Sequence, residues 1–462
     1  MLQTPNLSTA DLRRIDAAHH LHPFSDHGAL NAEGSRVISR ADGVYLWDSE
    51  GNRILDGMAG LWCMQVGYGR KAIVDAAARQ MMELPYYNTF FKTTHPPAVA
   101  LSEKLASLAP AHVNRVFFTN SGSEANDTVY RMVRHYWQLM GRPEKKIVIG
   151  RTLGYHGSTV AASALGGMAA MHGQGGMLPD IHRITPPYWF DFGGEMSPDE
   201  FGVHAARELE KAIDELGEEN IAAFIAEPVQ GAGGVLIPPA TYWPEVKRIL
   251  AGRDILFVAD EVICGFGRTG RWFGSDYYGL EPDFMPIAKG LSSGYLPIGG
   301  VLVSDRVADT IVSKGGEFFH GFTYSGHPAC CAASLANLRI IEDEKLVERV
   351  ADDIGPYMQK KWLALGEHPL VGEARMLGLF GALELVPDKT DRTKRFANTG
   401  EVGTICRDIS FGNGLVMRAV RDGMIISPPL VISRSEVDEL VAIAARTLDE
   451  TLAEVKKRGL VA

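Results

Sequence analysis

Between residues 115 and 303 the chain alternates short apolar runs with longer stretches in which hydrophobic side chains recur every three or four positions. The runs at 115–119, 146–150, 181–185, 221–226, 255–259, 283–288 and 298–303 are predominantly apolar at successive positions, the pattern of strands covered on both faces. Stretches such as 205–216 and 242–250 keep helical spacing between them. This alternation predicts an α/β fold around a mostly parallel seven-stranded sheet, with its ligand site at the carboxyl ends of the strands. Beyond about residue 330 the pattern changes. Residues 332–352 and 355–365 read as helices and 377–385 as a strand. A hairpin is predicted at 414–420 and 424–432, turning at Asp422-Gly423, before a closing helix at 435–457. Near the start, 43–57 reads as a hairpin, preceded over 1–16 by a short amphipathic or flexible arm. The expected organisation is an N-terminal arm and small-domain segment (1–65), a large domain (66–330) and a C-terminal part (331–462) that completes a small α+β domain.

Composition narrows the class. A chain of 462 residues with 46% hydrophobic and 22% charged side chains suits a large-cored globular enzyme. Its 46 basic and 56 acidic side chains give a net charge of −10; with no basic block, nucleic-acid binding is not expected. Five cysteines without a C-x-x-C pair point to a reducing, cytoplasmic setting and away from disulfides. Residues 152–179 lack any charge but hold seven glycines, two histidines and a proline, which suits a buried loop and helix near a site rather than a membrane span. The His19-His20-x-His22-Pro23 run resembles a metal cluster, but no acidic or cysteine partner stands out beside it, so no metal is expected.

The candidate chemistry centres on Lys289, which ends the apolar run 284–288 and opens into Gly290-Leu291-Ser292-Ser293-Gly294. Burial there would disfavour the ammonium and free the amine as a nucleophile. Asp260 ends the run 255–259 in the same way. A lysine to hold an aldehyde and an acid to pair with a pyridinium nitrogen suggest pyridoxal phosphate (PLP). A solvated loop lysine and a helix-capping aspartate would also fit these two residues alone. Ser121-Gly122-Ser123-Glu124 opens a helix behind the first strand, with Ser121 and Glu124 in a capping-box pattern, and its backbone N–H groups suit a phosphate. A plain capped helix is the alternative. Gly265-Phe266-Gly267-Arg268-Thr269-Gly270 matches a dinucleotide loop, but no long helix follows, so a nicotinamide enzyme is disfavoured. Tyr155, following the second strand of the domain, is placed to cover a flat ring.

Six segments in order resemble the class III (ω) aminotransferases of PLP fold type I. They are Ser121–Asp127, Tyr155-His156-Gly157, Glu227–Gly231, Asp260–Gly270, Ala288-Lys289-Gly290 and Gly321–Pro328. Leu61-Trp62, Pro85–Phe91 and Met417-Arg418 resemble the ω-amine:pyruvate and polyamine:pyruvate branch. The resemblance implies that Lys289 holds PLP, that Asp260 pairs with its ring nitrogen, and that Tyr155 and Val262 cover the two ring faces. It implies Ser121, Gly122 and Ser123 at the phosphate, aided by Thr323 of the other subunit, with His156 and Glu227 also lining the cofactor. Trp62, Phe90, Phe24, Tyr155 and Arg418 would form the substrate pocket, and Arg418 would grip the keto-acid carboxylate.

The expected activity is therefore ping-pong transamination from a primary amine (putrescine or another diamine, β-alanine or another ω-amino acid, or a simple amine) to pyruvate. The chain would act as a homodimer, alone or paired into a tetramer, with its active site at the subunit interface. Alternatives on the same scaffold are a 4-aminobutyrate:2-oxoglutarate transaminase and a PLP racemase or aminomutase. A PLP-binding protein without catalysis is the alternative from another class.

Overall fold

The computed structural model describes residues 7–461. Of the expected N-terminal arm, residues 1–6 lie outside the described residues, and Thr9–His19 forms a helix with no buried side chain. Strands β1 (Ile38–Asp42), β2 (Tyr45–Asp48) and β3 (Arg53–Leu55) make a small antiparallel sheet that contains the expected hairpin.

All seven predicted strands of the large sheet are present: β4 (Val113–Thr119), β5 (Ile147–Arg151), β6 (Ile181–Ile184), β7 (Ile221–Ala226), β8 (Leu256–Ala259), β9 (Phe284–Ile287) and β10 (Gly299–Ser304). Their order is β4-β10-β9-β8-β7-β5-β6. Only β10 runs against its neighbours, so β4, β5, β7, β8 and β9 all end at one edge. Side-chain alternation shows why these strands read as continuous apolar runs. Phe224 and Phe257 face a layer built from Phe201, Ala205, Leu209 and Trp243. Ala223, Ile225, Leu256 and Val258 face the opposite layer, Val129, Met132, Val133 and Trp137 of the helix Gly122–Leu139. Both faces are dry, so both parities of each strand are hydrophobic.

The C-terminal part departs from the prediction in two places. Residues 377–385 are not one continuous run but span a hairpin: Leu377 ends β11 (Val371–Leu377), Gly378-Leu379 turn the chain, and the rest is β12 (Phe380–Leu385). Gly378 makes this turn at φ 51°, where a Cβ would come within 2.3 Å of the Arg268 carbonyl. The second hairpin, β13 (Arg418–Val420) and β14 (Gly423–Ile426), turns one residue earlier than predicted, at Arg421-Asp422, with Gly423 already paired to Val420. Asp422 is drawn into the turn because its carboxylate accepts the N–H groups of Gly400 (2.9 Å) and Gly403 (3.0 Å), at the start of the helix Glu401–Gly412.

The glycine loop 265–270 is a structural joint. Arg268 is fully buried and donates to the carbonyls of Leu379 (2.9 Å) and Pro428 (2.6 Å) and to Gln65 Oε1 (3.3 Å). Burial pulls the guanidinium pKa down to about 9 against the pull of Cys63 and Asp56, which still leaves it charged at neutral pH. One side chain thus ties the large sheet to the N-terminal segment, to the turn of the first C-terminal hairpin and to the chain just after the second. Arg268→Ala orphans three acceptors. At about 1–3 kcal/mol for each unmet buried group, chemical denaturation should show a loss of at least ~3 kcal/mol. A loss below ~1 kcal/mol would mean that the joint is held by packing instead.

Candidate active site

The carboxyl ends of β4, β5, β7, β8 and β9 converge on a cavity of about 370 Å³. Its lining includes Ser121, Gly122 and Ser123 from the turn after β4, and Tyr155 and His156 from the loop after β5. Glu227 follows β7, Asp260 and Val262 follow β8, and Lys289 follows β9. The charge-free segment 152–179 therefore begins at this cavity, as its composition predicts.

Asp260 is held on three sides. Its Oδ2 accepts from His156 Nδ1 (2.7 Å) and Asn126 Nδ2 (2.9 Å), and its Oδ1 accepts from the Val262 backbone N–H (3.1 Å). All of this is buried: Asp260 is 3% exposed and Asn126 fully enclosed. The neighbouring Glu261 points to the other side of the strand end. There it accepts from the backbone N–H groups of Gly274 (2.8 Å) and Ser275 (2.6 Å), and burial raises its pKa to about 7. Strand parity thus sorts two adjacent acids, one to the cavity and one to a structural cap. Glu227 is enclosed as well. It accepts from the Tyr155 N–H (3.2 Å) and the Gly231 N–H (2.9 Å), and burial pushes its pKa up.

Sequence pattern does not single out Asn126. It stands one helical turn beyond Gly122, and its amide also donates to the His156 carbonyl (2.8 Å). That i+4 position on the helix face behind the phosphate turn was its only signal.

Lys289 sits in a left-handed conformation (φ 45°) in a single 3₁₀ turn just past β9. A non-glycine residue there stores about 1–3 kcal/mol of strain, so something must hold it. Asn337 does: its Nδ2 donates to the carbonyls of Gly290 (2.8 Å) and Leu291 (3.0 Å), and its Oδ1 accepts from Ser293 Oγ (2.6 Å). The turn is tightly packed at Gly290, where a Cβ would fall 2.5 Å from Gln65 Nε2 and 3.0 Å from Phe266 Cβ. Among the described residues no ion pair or side-chain hydrogen bond involves the Lys289 amine. Burial lowers its pKa from the ordinary lysine value, opposed by the nearby charges of Asp260 and Glu227.

At the other end of the cavity, the capping box predicted for Ser121 and Glu124 forms only by half. Ser121 Oγ accepts the Glu124 N–H (3.2 Å), but the Glu124 carboxylate turns back to Asn120, accepting its backbone N–H (2.7 Å) and side-chain amide (2.9 Å). The N–H groups of Gly122 and Ser123 are left without an acceptor among the described residues, at the start of an 18-residue helix. Free N–H groups at a helix start suit an anion such as a phosphate. Space is tight: a Cβ on Gly122 would stand 3.0 Å from Val262 Cγ1, and one on Gly157 would stand 2.6 Å from Ser123 Oγ. Free N–H groups, a cavity lined by Tyr155 and Val262, a fixed carboxylate and an amine unpaired among the described residues make a donor set that fits PLP.

The predicted substrate residues are more scattered. Trp62 is 1% exposed and packs edge-on to Phe380, with its indole N–H unpartnered among the described residues. Phe24 is exposed, and its ring stands edge-on to Tyr155 at 6.4 Å. Arg418 begins β13, and its guanidinium has no hydrogen-bond or ion-pair partner among the described residues. Burial lowers its pKa, and its charge is felt at Lys289. Phe90 and Thr323 are not at this cavity. Phe90 covers Gly321 beside a separate surface hollow, and the exposed Thr323 offers its carbonyl to the Tyr86 hydroxyl (2.6 Å).

Residues 28–448 match the family model for class-III aminotransferases. The putrescine–pyruvate aminotransferase of Pseudomonas aeruginosa is 60% identical over 454 residues, covering 98% of this chain and 99% of that protein. A mitochondrial gamma aminobutyrate transaminase of Solanum lycopersicum is 41% identical, over 98% of this chain and 88% of its own length. Among solved structures, the omega transaminase of Pseudomonas jessenii in complex with PMP superposes with a TM-score of 0.94 at 40% identity, covering 96% of this chain and 99% of that one.

The lowered pKa of Lys289 has a thermodynamic consequence. The unfolded chain binds the lysine proton more tightly than the folded chain does, so the stability linked to this group rises with pH up to the ordinary lysine range. In the cofactor-free protein, Lys289→Met removes a buried amine and should raise the melting temperature at pH 7, with the gap narrowing as pH approaches that range. A variant less stable than the parent at pH 7 would contradict the assigned cost of burial.

Proposed function

The chain belongs to the class-III aminotransferase family, and from that premise we propose that it transfers the amino group of an unbranched primary amine to pyruvate. Putrescine or another diamine, β-alanine and related ω-amino acids are the proposed donors. The observation that carries the proposal is the buried, unpaired Lys289 amine at the strand end beside Asp260. The 60% identical relative, named for putrescine and pyruvate, supports the choice of substrates.

PLP is the cofactor of the family. When bound it supplies an aldehyde for the amine nitrogen and a ring that draws electrons from the carbon bearing that nitrogen. We assign the residue roles as follows. Lys289 Nζ takes the proton from the substrate Cα, a task that favours a neutral amine and so gains from burial. Asp260, oriented by His156 and Asn126, holds a negative charge against the ring nitrogen. Ser121, Gly122 and Ser123 form the phosphate end, and Tyr155 and Val262 cover the ring faces. Glu227 fixes the loop that carries Tyr155. Among the described residues that line the cavity Lys289 is the only lysine or arginine, which leaves Arg418 to meet a substrate carboxylate. An acceptor with one carboxylate suits that arrangement. A 4-aminobutyrate:2-oxoglutarate activity is the second reading, raised by the 41% identical relative, and it would need a further cation for the distal carboxylate.

We further propose a homodimer, with Thr323 and Phe90 acting in the partner's site. Support comes from exposed aromatic residues in the two segments concerned: Tyr86, Tyr87, Phe91, Phe319 and Tyr324, with the Tyr86 and Tyr324 rings 5.8 Å apart. Such surface on a single chain favours association. The three-part division at residues 65 and 330 belongs to the same proposal. So does a cytoplasmic setting, which the five free thiols support.

Purified protein loaded with PLP should lose its visible absorption band on adding putrescine and regain it on adding pyruvate, with alanine and the deaminated amine as products. A band that ignores putrescine but responds to 4-aminobutyrate and then 2-oxoglutarate would replace the proposed substrates with the second reading. Racemisation without amino-group transfer would overturn transamination itself.

A further inference from the structure

The helix Thr9–His19 ends with Asp16 in its last turn, and His20 follows it in extended conformation (φ −120°, ψ 123°). Spacing i,i+4 puts Asp16 and His20 on one face. The chain then leaves the helix so that His22 returns to the same carboxylate. His20 Nδ1 lies 3.1 Å from Asp16 Oδ1, and His22 Nε2 lies 2.9 Å from Asp16 Oδ2. The two imidazole rings stand 4.1 Å apart by their centroids. The acidic partner that seems absent from the sequence is thus Asp16, one turn upstream of the histidines.

We propose that Asp16, His20 and His22 bind a divalent transition-metal ion of the zinc type at the root of the N-terminal arm. The three ligand atoms all lie within 4.8 Å of one another. Ligands at 2.0–2.1 Å around tetrahedral zinc are about 3.3 Å apart, so the two Asp16 contacts of 3.1 and 2.9 Å need open only slightly to admit the ion. Two imidazoles and one carboxylate are ligand types that zinc takes, with a fourth position left for water. The cluster is accessible: the side chains of Asp16 and His22 are 22% and 25% exposed and that of His20 is 59% exposed. A carboxylate shared by two histidines also serves as a plain hydrogen-bonded cap, and the two cases differ in whether a metal competes with the proton. The site lies two residues before Phe24, whose ring meets Tyr155, so a bound ion would fix the arm where it reaches the cavity.

Tag-free, PLP-loaded protein dialysed against Zn²⁺ at neutral pH should take up one saturable ion per chain. His22→Ala and the shape-conserving Asp16→Asn should each weaken that uptake at least tenfold, while His19→Ala leaves it unchanged. Melting curves will verify that the variants fold. No saturable uptake by the parent protein, or uptake unaffected in both His22→Ala and Asp16→Asn, would overturn the site.

Discussion

An amine taken out of water without a counter-ion is the constraint on which this structure depends. Burying an ammonium costs several kcal/mol even after the protein relaxes, and Lys289 has no ion-pair partner among the described residues to offset it. The carboxylate whose charge acts most on it, Asp260, is already engaged by His156, Asn126 and the Val262 N–H. The amine is therefore pushed toward its neutral form, while the acid next to it is surrounded by donors. Two ionisable groups at the ends of adjacent strands are thus kept in different electrostatic environments, the arrangement that acid–base chemistry needs.

Holding that arrangement calls on parts of the molecule distant in sequence. The left-handed turn at Lys289 is clamped by Asn337 from a helix more than forty residues away. Glu227 carries the loop bearing Tyr155, and Arg268 joins the large sheet to the segments that flank it in sequence. Each of these polar groups is buried and makes directional bonds. The rigidity of the cavity is a network property rather than a product of apolar packing alone.

The large sheet was legible in the sequence because two-sided burial leaves a strong signal. β7 was predicted residue for residue, and the remaining strands of this sheet differ from expectation by at most two residues at either end. The C-terminal hairpins were harder to read. Gly372 and Glu373 interrupt the apolar alternation of β11, and the turn at Gly378 lies inside a run that looks continuous. Lys289, Asp260 and the phosphate turn could be found from local pattern. Asn126 and Asn337 could not, because a single polar residue in a helix carries no mark of what it bonds. Asp16 carries no signal either, because the histidines it meets lie beyond the end of its helix. Phe90 and Thr323 stand away from the Lys289 cavity within one chain, and a pattern along the sequence does not measure such a separation.

The most direct test of the central claim is chemical. Borohydride reduction of the PLP-loaded protein, followed by peptide mass mapping, should place the pyridoxyl group on the peptide containing Lys289 and nowhere else. A label on a different lysine, or no label on protein that binds PLP, would contradict the role assigned to this buried amine.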